Sequence, residues 1–119
     1  MSQPQKPQLY RDVIDALVEN CRNGQGQICA ERAREGLWNL AATPETMPDQ
    51  YKFNGLLAQL SKADREIVAE MLSQEYVRGA FAALSVLNDF EVSPFEDGYE
   101  GAAYHDFVGR LDDWPWPES

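Results

Sequence analysis

The chain has 119 residues, 44% of them hydrophobic and 25% charged, with a formal net charge of −10. That length can bury a core without metal or disulfide staples, and the composition is not that of a disordered chain. The negative balance argues against direct binding to nucleic acid or an anionic membrane, and no apolar run reaches the ~20 residues that cross a bilayer.

The charge is unevenly placed. Residues 1–88 carry eleven acidic and nine basic side chains, whereas residues 89–119 carry nine acidic side chains and a single basic one, Arg110. Seven of the thirteen aromatic residues also lie between Phe90 and Glu118. This C-terminal stretch is therefore where an electrostatic or aromatic partner would act.

Residues 1–6 form a polar arm. The start MSQPQKPQ contains no basic-then-apolar leader, so a cytoplasmic location and reduced thiols at Cys21 and Cys29 are expected. A disulfide closed by the RNGQGQI turn is the alternative. Two cysteines with one distant histidine do not make a zinc site.

Pro7 suits a first helical turn. Tyr10, Val13, Ile14, Leu17, Val18 and Cys21 then follow the i, i+3, i+4, i+7 pattern of an amphipathic helix ended by Asn23-Gly24. Arg11, Asp12, Asp15 and Glu19 occupy its outer face. A second helix is expected from Ile28 to Ala42, with Cys29, Ala33, Leu37, Leu40 and Ala41 inside and Gly36 at a close helix contact. Its charges, Arg32 and Arg34 among Glu31 and Glu35, form a solvated face. Gly24-Gln25-Gly26 follows no strand and is too short for a nucleotide loop.

The two-proline stretch Thr43–Pro48 cannot be mid-helix. Phe53, Leu56, Leu57 and Leu60 mark a short third helix, with Tyr51 near its start. Ser61, three places before Asp64, has the form of an N-cap. From Lys62 to Asn88 nothing stops a helix, yet its apolar face moves. Ile67, Val68, Met71 and Leu72 form one stripe, and Val77, Ala80, Phe81 and Leu84 another, about half a turn away. One long helix with a two-sided core role is favoured over a break near Ser73–Glu75. Gly79 offers it a place for close packing.

Beyond Phe90 the chain is expected to be irregular, apart from a short helix over Ala103–Leu111 carrying Tyr104, Phe107, Val108 and Leu111 on one side. Trp114-Pro115-Trp116-Pro117 should be extended. Phe90, Phe95 and Phe107 are expected inside, with at least one tryptophan at a surface groove. The segments LSKADREIVAEML, PFEDGYEG, HDFVGRLDDW and WPE resemble a family of small uncharacterised bacterial proteins. The likeness spans roughly residues 51–118 and brings no activity, cofactor or catalytic residue with it.

The whole chain is thus expected to be one all-α domain, a compact bundle of four to five helices closed by an irregular, acidic and aromatic tail. The leading function is non-enzymatic: protein binding or neutralisation, of the inhibitor or immunity kind, in which Tyr99, Glu100, Tyr104, Asp112, Asp113, Trp114 and Trp116 meet a basic protein partner. Arg110 is expected to pair structurally, with Asp106 or with a carboxylate of the Glu96–Glu100 turn. The alternative is a small enzyme or metal-binding protein using His105 with Asp106 and Glu100, although no nucleophile elbow, metal-ligand spacing or cofactor motif accompanies them. A homodimer through Val77, Phe81 and Leu84 is a third reading.

Overall fold

The computed structural model describes residues 8–90 and 102–116, and within them it is helical, with no strand. The helices are α1 (Gln8–Asn23), α2 (Gln25–Glu35), α3 (Pro48–Gln59), α4 (Lys62–Asp89) and α5 (Ala103–Leu111).

The long helix α4 is unbroken over 28 residues, about 42 Å at the ordinary helical rise. It starts where expected: the Ser61 side chain accepts a hydrogen bond from the Asp64 backbone N–H at 3.1 Å. Two separate core clusters lie along it. Towards its N-terminus, Ala69 is buried with Ala30 and Ala33 of α2 and Leu57 of α3, flanked by Val68, Leu72, Trp38 and Leu60. Towards its C-terminus, Leu84 is buried with Tyr10, Ile14, Val18 and Cys21 of α1 and Phe107 of α5, flanked by Val77, Ala80 and Leu87. The inner positions rotate by about a quarter turn between the clusters at ~100° per residue. The half turn expected from sequence is too large because Ile67 and Met71 are exposed and Phe81 sits at the rim.

Two cores placed end to end make an elongated molecule of 62 × 27 × 20 Å, where one compact core was expected. The second stripe of α4 belongs to this interior. Leu84 is buried, Val77 packs on the core, and the Phe81 ring meets Tyr104 edge-on at 5.4 Å. Of the three residues of the dimer reading, Leu84 is thus buried and Val77 half-buried, while Phe81 keeps an exposed edge. Gly79, expected at a close contact, faces open space.

The second helix differs most from expectation. It begins at Gln25 and ends at Glu35, not Ala42, because Gly36 adopts φ +77°. The Gly36 and Leu37 N–H groups both return to the Arg32 carbonyl, at 3.1 and 3.2 Å, which closes a left-handed helix stop. Gly36 is thus a terminator. A Cβ there would also lie 2.5 Å from Cζ of Arg65. That guanidinium donates to the Leu57 carbonyl at 2.9 Å and so caps α3. With the helix stopped, Leu37 and Ala41 are exposed and Leu40 is 86% exposed, so the inner face of α2 is Ala30 and Ala33 instead.

The turn that follows is held by Asn54, which behaves like a strip of backbone. Its Oδ1 accepts from the Trp38 and Asn39 N–H groups at 2.7 and 2.9 Å, and its Nδ2 donates to the Asn39 carbonyl at 2.7 Å. Of the apolar residues expected inside on α3, Leu57 is buried and Leu60 half-buried, while Phe53 and Leu56 are exposed. Phe90 is likewise 77% exposed, and Phe95 lies outside the described residues. Both cysteines are free thiols, Cys21 buried and Cys29 half-buried.

Candidate interaction face on the C-terminal helix

The helix α5 is anchored by Phe107, which is fully buried between α1 and α4. Its flank is then tied to α1 by polar side chains rather than by further apolar contact. The Tyr10 hydroxyl donates to Asp106 at 2.6 Å. Asp15 accepts from Nε of Arg110 at 2.7 Å and from Nε1 of Trp116 at 3.0 Å. Arg22 donates to the Leu111 carbonyl and to Asp113, the latter at 3.1 Å.

Arg11, Asp15 and Arg22 are spaced i, i+4 and i+11, one stripe of α1. By amphipathic pattern alone Arg11 and Asp15 fall on the outer face. The structure half-buries both against the C-terminal segment. Arg110 therefore has an ion-pair partner on another helix, 95 residues away, in addition to the Trp114 carbonyl it reaches at 2.5 Å.

The end of α5 fixes the two tryptophans. Asp113 takes a left-handed conformation, φ +63°. The Asp113 N–H returns to the Arg110 carbonyl at 3.1 Å and the Trp114 N–H to the Gly109 carbonyl at 2.9 Å, the paired bonds of a Schellman stop. The chain turns back sharply and lays the Trp114 ring over Gly109, where a Cβ would stand 3.0 Å from Cε3 of the indole. Gly109 weakens a helix as a matter of propensity; here its missing side chain is the seat of Trp114.

Trp116 goes inward. Its ring meets Tyr10 edge-on at 6.1 Å, and the guanidinium carbons of Arg11 and Arg110 each lie 5.4 Å from its centroid. Trp114 stays 57% exposed and meets His105 edge-on at 6.3 Å. Together His105, Asp106, Gly109, Arg110, Trp114, Pro115 and Trp116 line a shallow groove of about 150 Å³.

Of the residues assigned to partner binding from sequence, Asp112, Asp113 and Trp114 are exposed and adjacent, Tyr104 and Trp116 are half-buried, and Tyr99 and Glu100 lie outside the described residues. Asp113 is shared between the rim and the Arg22 pair. His105 is exposed and in contact with Trp114, while the carboxylate of Asp106 is engaged by Tyr10. Among the described residues, no three His, Cys, Asp or Glu side chains gather as metal ligands would. No helix among them is long and apolar enough to cross a membrane. The contribution of α1 to this face was invisible in sequence, because a charged helix position looks solvated until its partner is placed.

The chain matches the Family of unknown function (DUF6547) over residues 3–118. It belongs to that family. The match includes α1 and α2, which the sequence resemblance over residues 51–118 left out. No curated protein and no solved structure matches the chain.

Proposed function

We propose that this member of the DUF6547 family is a non-enzymatic protein-binding module that engages a basic partner through the exposed edge of α5. The observation that carries the reading is Trp114. More than half of its surface is exposed, yet its backbone is locked in a helix stop and its ring rests on Gly109. A large aromatic ring held in one orientation at the surface loses little entropy on binding, which is the usual character of an interface anchor. Its neighbours Asp112 and Asp113 provide the acidic rim, and the surrounding sequence carries most of the net charge.

The size of the groove favours the same reading. Small-molecule sites typically enclose ~300–1,000 Å³, whereas about 150 Å³ beside Trp114 has room for a single inserted side chain. A lysine or arginine from the partner would lay its stem against the indole, with Asp106 as the carboxylate of the groove's lining and Asp112 and Asp113 outside it.

The test is co-purification from native lysate with the wild-type chain as bait, followed by titration of the captured protein. A basic partner should bind with an affinity that falls as salt rises. Trp114→Ala should weaken binding by at least about tenfold, the ~1.4 kcal/mol that a modest anchor supplies. Asp112→Lys should weaken it most at low salt. Trp116→Ala is not an equivalent probe, because Trp116 holds Asp15 and Tyr10 together. Binding that is indifferent to salt, Trp114→Ala and Asp112→Lys would refute the proposal.

A further inference from the structure

The groove beside Trp114 holds the one histidine of the chain. His105 is exposed, and its ring meets the Trp114 indole edge-on with centroids 6.3 Å apart. Histidine is the side chain whose ordinary titration falls between pH 5 and 8, with carboxylates below that window and thiols above it. Mild acidification therefore changes side-chain charge at one point of this protein, against the ring that anchors the proposed interface.

We infer that His105 is a pH-dependent gate on this groove. Neutral, it admits a cationic side chain against Trp114; protonated, it repels that side chain and competes for the indole. The inference rests on the basic-partner reading of the same groove and adds its regulation.

The groups around His105 give the sign of the effect. The charged side chains of the lining are Asp106 and Arg110, one of each sign, so the lining is neutral until the imidazole gains a proton and net positive afterwards. Asp106 is turned to α1, where it accepts the Tyr10 hydroxyl at 2.6 Å. Arg110 pairs with Asp15 of α1, and Arg11 of α1 lies against Trp116. At the rim stand Asp112 and Asp113, the latter in an ion pair with Arg22 of α1. Among the described residues α4 adds no side chain to the lining. None of these residue types ordinarily titrates in the same window.

A cation seated on the indole would stand roughly 6 Å from the imidazolium. At that distance two like charges weaken binding about three- to tenfold, for effective dielectric constants of about 80 down to about 40. The imidazolium is also drawn to the indole π system, so it takes up the surface that the incoming side chain needs.

Two titrations of the full chain test the gate. Tryptophan fluorescence needs no partner: an imidazolium quenches a neighbouring indole, so emission should fall between about pH 7.5 and about pH 5.5. His105→Gln should abolish that fall and Trp114→Phe should remove most of it. Calorimetric binding of a hexa-arginine peptide at fixed ionic strength should weaken about three- to tenfold over the same range, and His105→Gln should remove this pH dependence. Because His105 is exposed, circular dichroism should show undiminished helix content in the variant. Emission that stays flat, a peptide affinity equal at both pH values, or one that shifts equally in His105→Gln overturns the gate and leaves the basic-partner reading standing. A peptide that binds at neither pH refutes that reading and the gate with it.

Discussion

Asp15 is the most informative single position for how the C-terminal face is held. One carboxylate receives the guanidinium of Arg110 at 2.7 Å and the indole N–H of Trp116 at 3.0 Å. Asp15→Ala removes both bonds and leaves two donors without their acceptor. A hydrogen bond to a charged group contributes ~1.5–3 kcal/mol when well sheltered. The side chains of Arg110 and Asp15 are 28% and 40% exposed, so solvent screens the ion pair and its share falls to ~1 kcal/mol. With the indole bond added, the loss should be about 2 kcal/mol, or about 8 °C in Tm for a chain of this length. Urea unfolding followed by tryptophan fluorescence measures it, and a double-mutant cycle with Arg110→Ala should return a coupling of ~1 kcal/mol. The native emission should also shift to the red as Trp116 loosens. A loss below ~0.5 kcal/mol with no coupling to Arg110 would show that these two bonds are surface decoration and that Phe107, with the Tyr10 and Arg22 contacts, holds α5.

Three further outcomes follow from particular contacts. Gly36→Ala should destabilise by ~1–3 kcal/mol in the same unfolding assay, because φ +77° and the Arg65 guanidinium both exclude a Cβ. Phe107→Ala should cost ~3–5 kcal/mol, since a fully buried ring between three helices leaves a cavity. Burial pushes the Cys21 thiol above its ordinary pKa. Its folded pKa therefore exceeds the unfolded value of ~8.5, so its contribution to stability is complete below that pH and is lost as pH rises through the folded value. Timed alkylation at mildly alkaline pH should accordingly modify Cys29 well before Cys21.

What could be read from sequence follows physical type. The apolar stripe of α1 set most of its inner face: Tyr10, Ile14, Val18 and Cys21 are buried and Leu17 half-buried, while Val13 of the same stripe is exposed. The Ser61 cap, the continuity of α4 and the bounds of α5 were equally legible, since each rests on local geometry or periodicity. Gly36 was not, because a glycine within a helical pattern suits both a close contact and a left-handed stop, and only its φ separates them. The exposed side of α3 was missed for a related reason. Periodicity says that Phe53 and Leu56 share a face with Leu57, but not that the neighbouring helices cover just one edge of it. Asp15 and Arg22 were hidden most completely. Their roles depend on where α5 lies, which is a long-range fact that no local pattern encodes.

The C-terminal face and the exposed side of α3 are built differently. Along α1 and α5, polar bonds from Tyr10, Asp15 and Arg22 surround one buried ring, so the groove beside Trp114 is positioned by directional contacts rather than by a deep core. Directional contacts fix orientation at modest cost in stability, which suits a recognition face more than a core. At α3 the reverse holds: apolar side chains without internal partners cost solubility unless another surface covers them. The two regions pack on different core clusters of a 62 Å long molecule, so covering one need not obstruct the other.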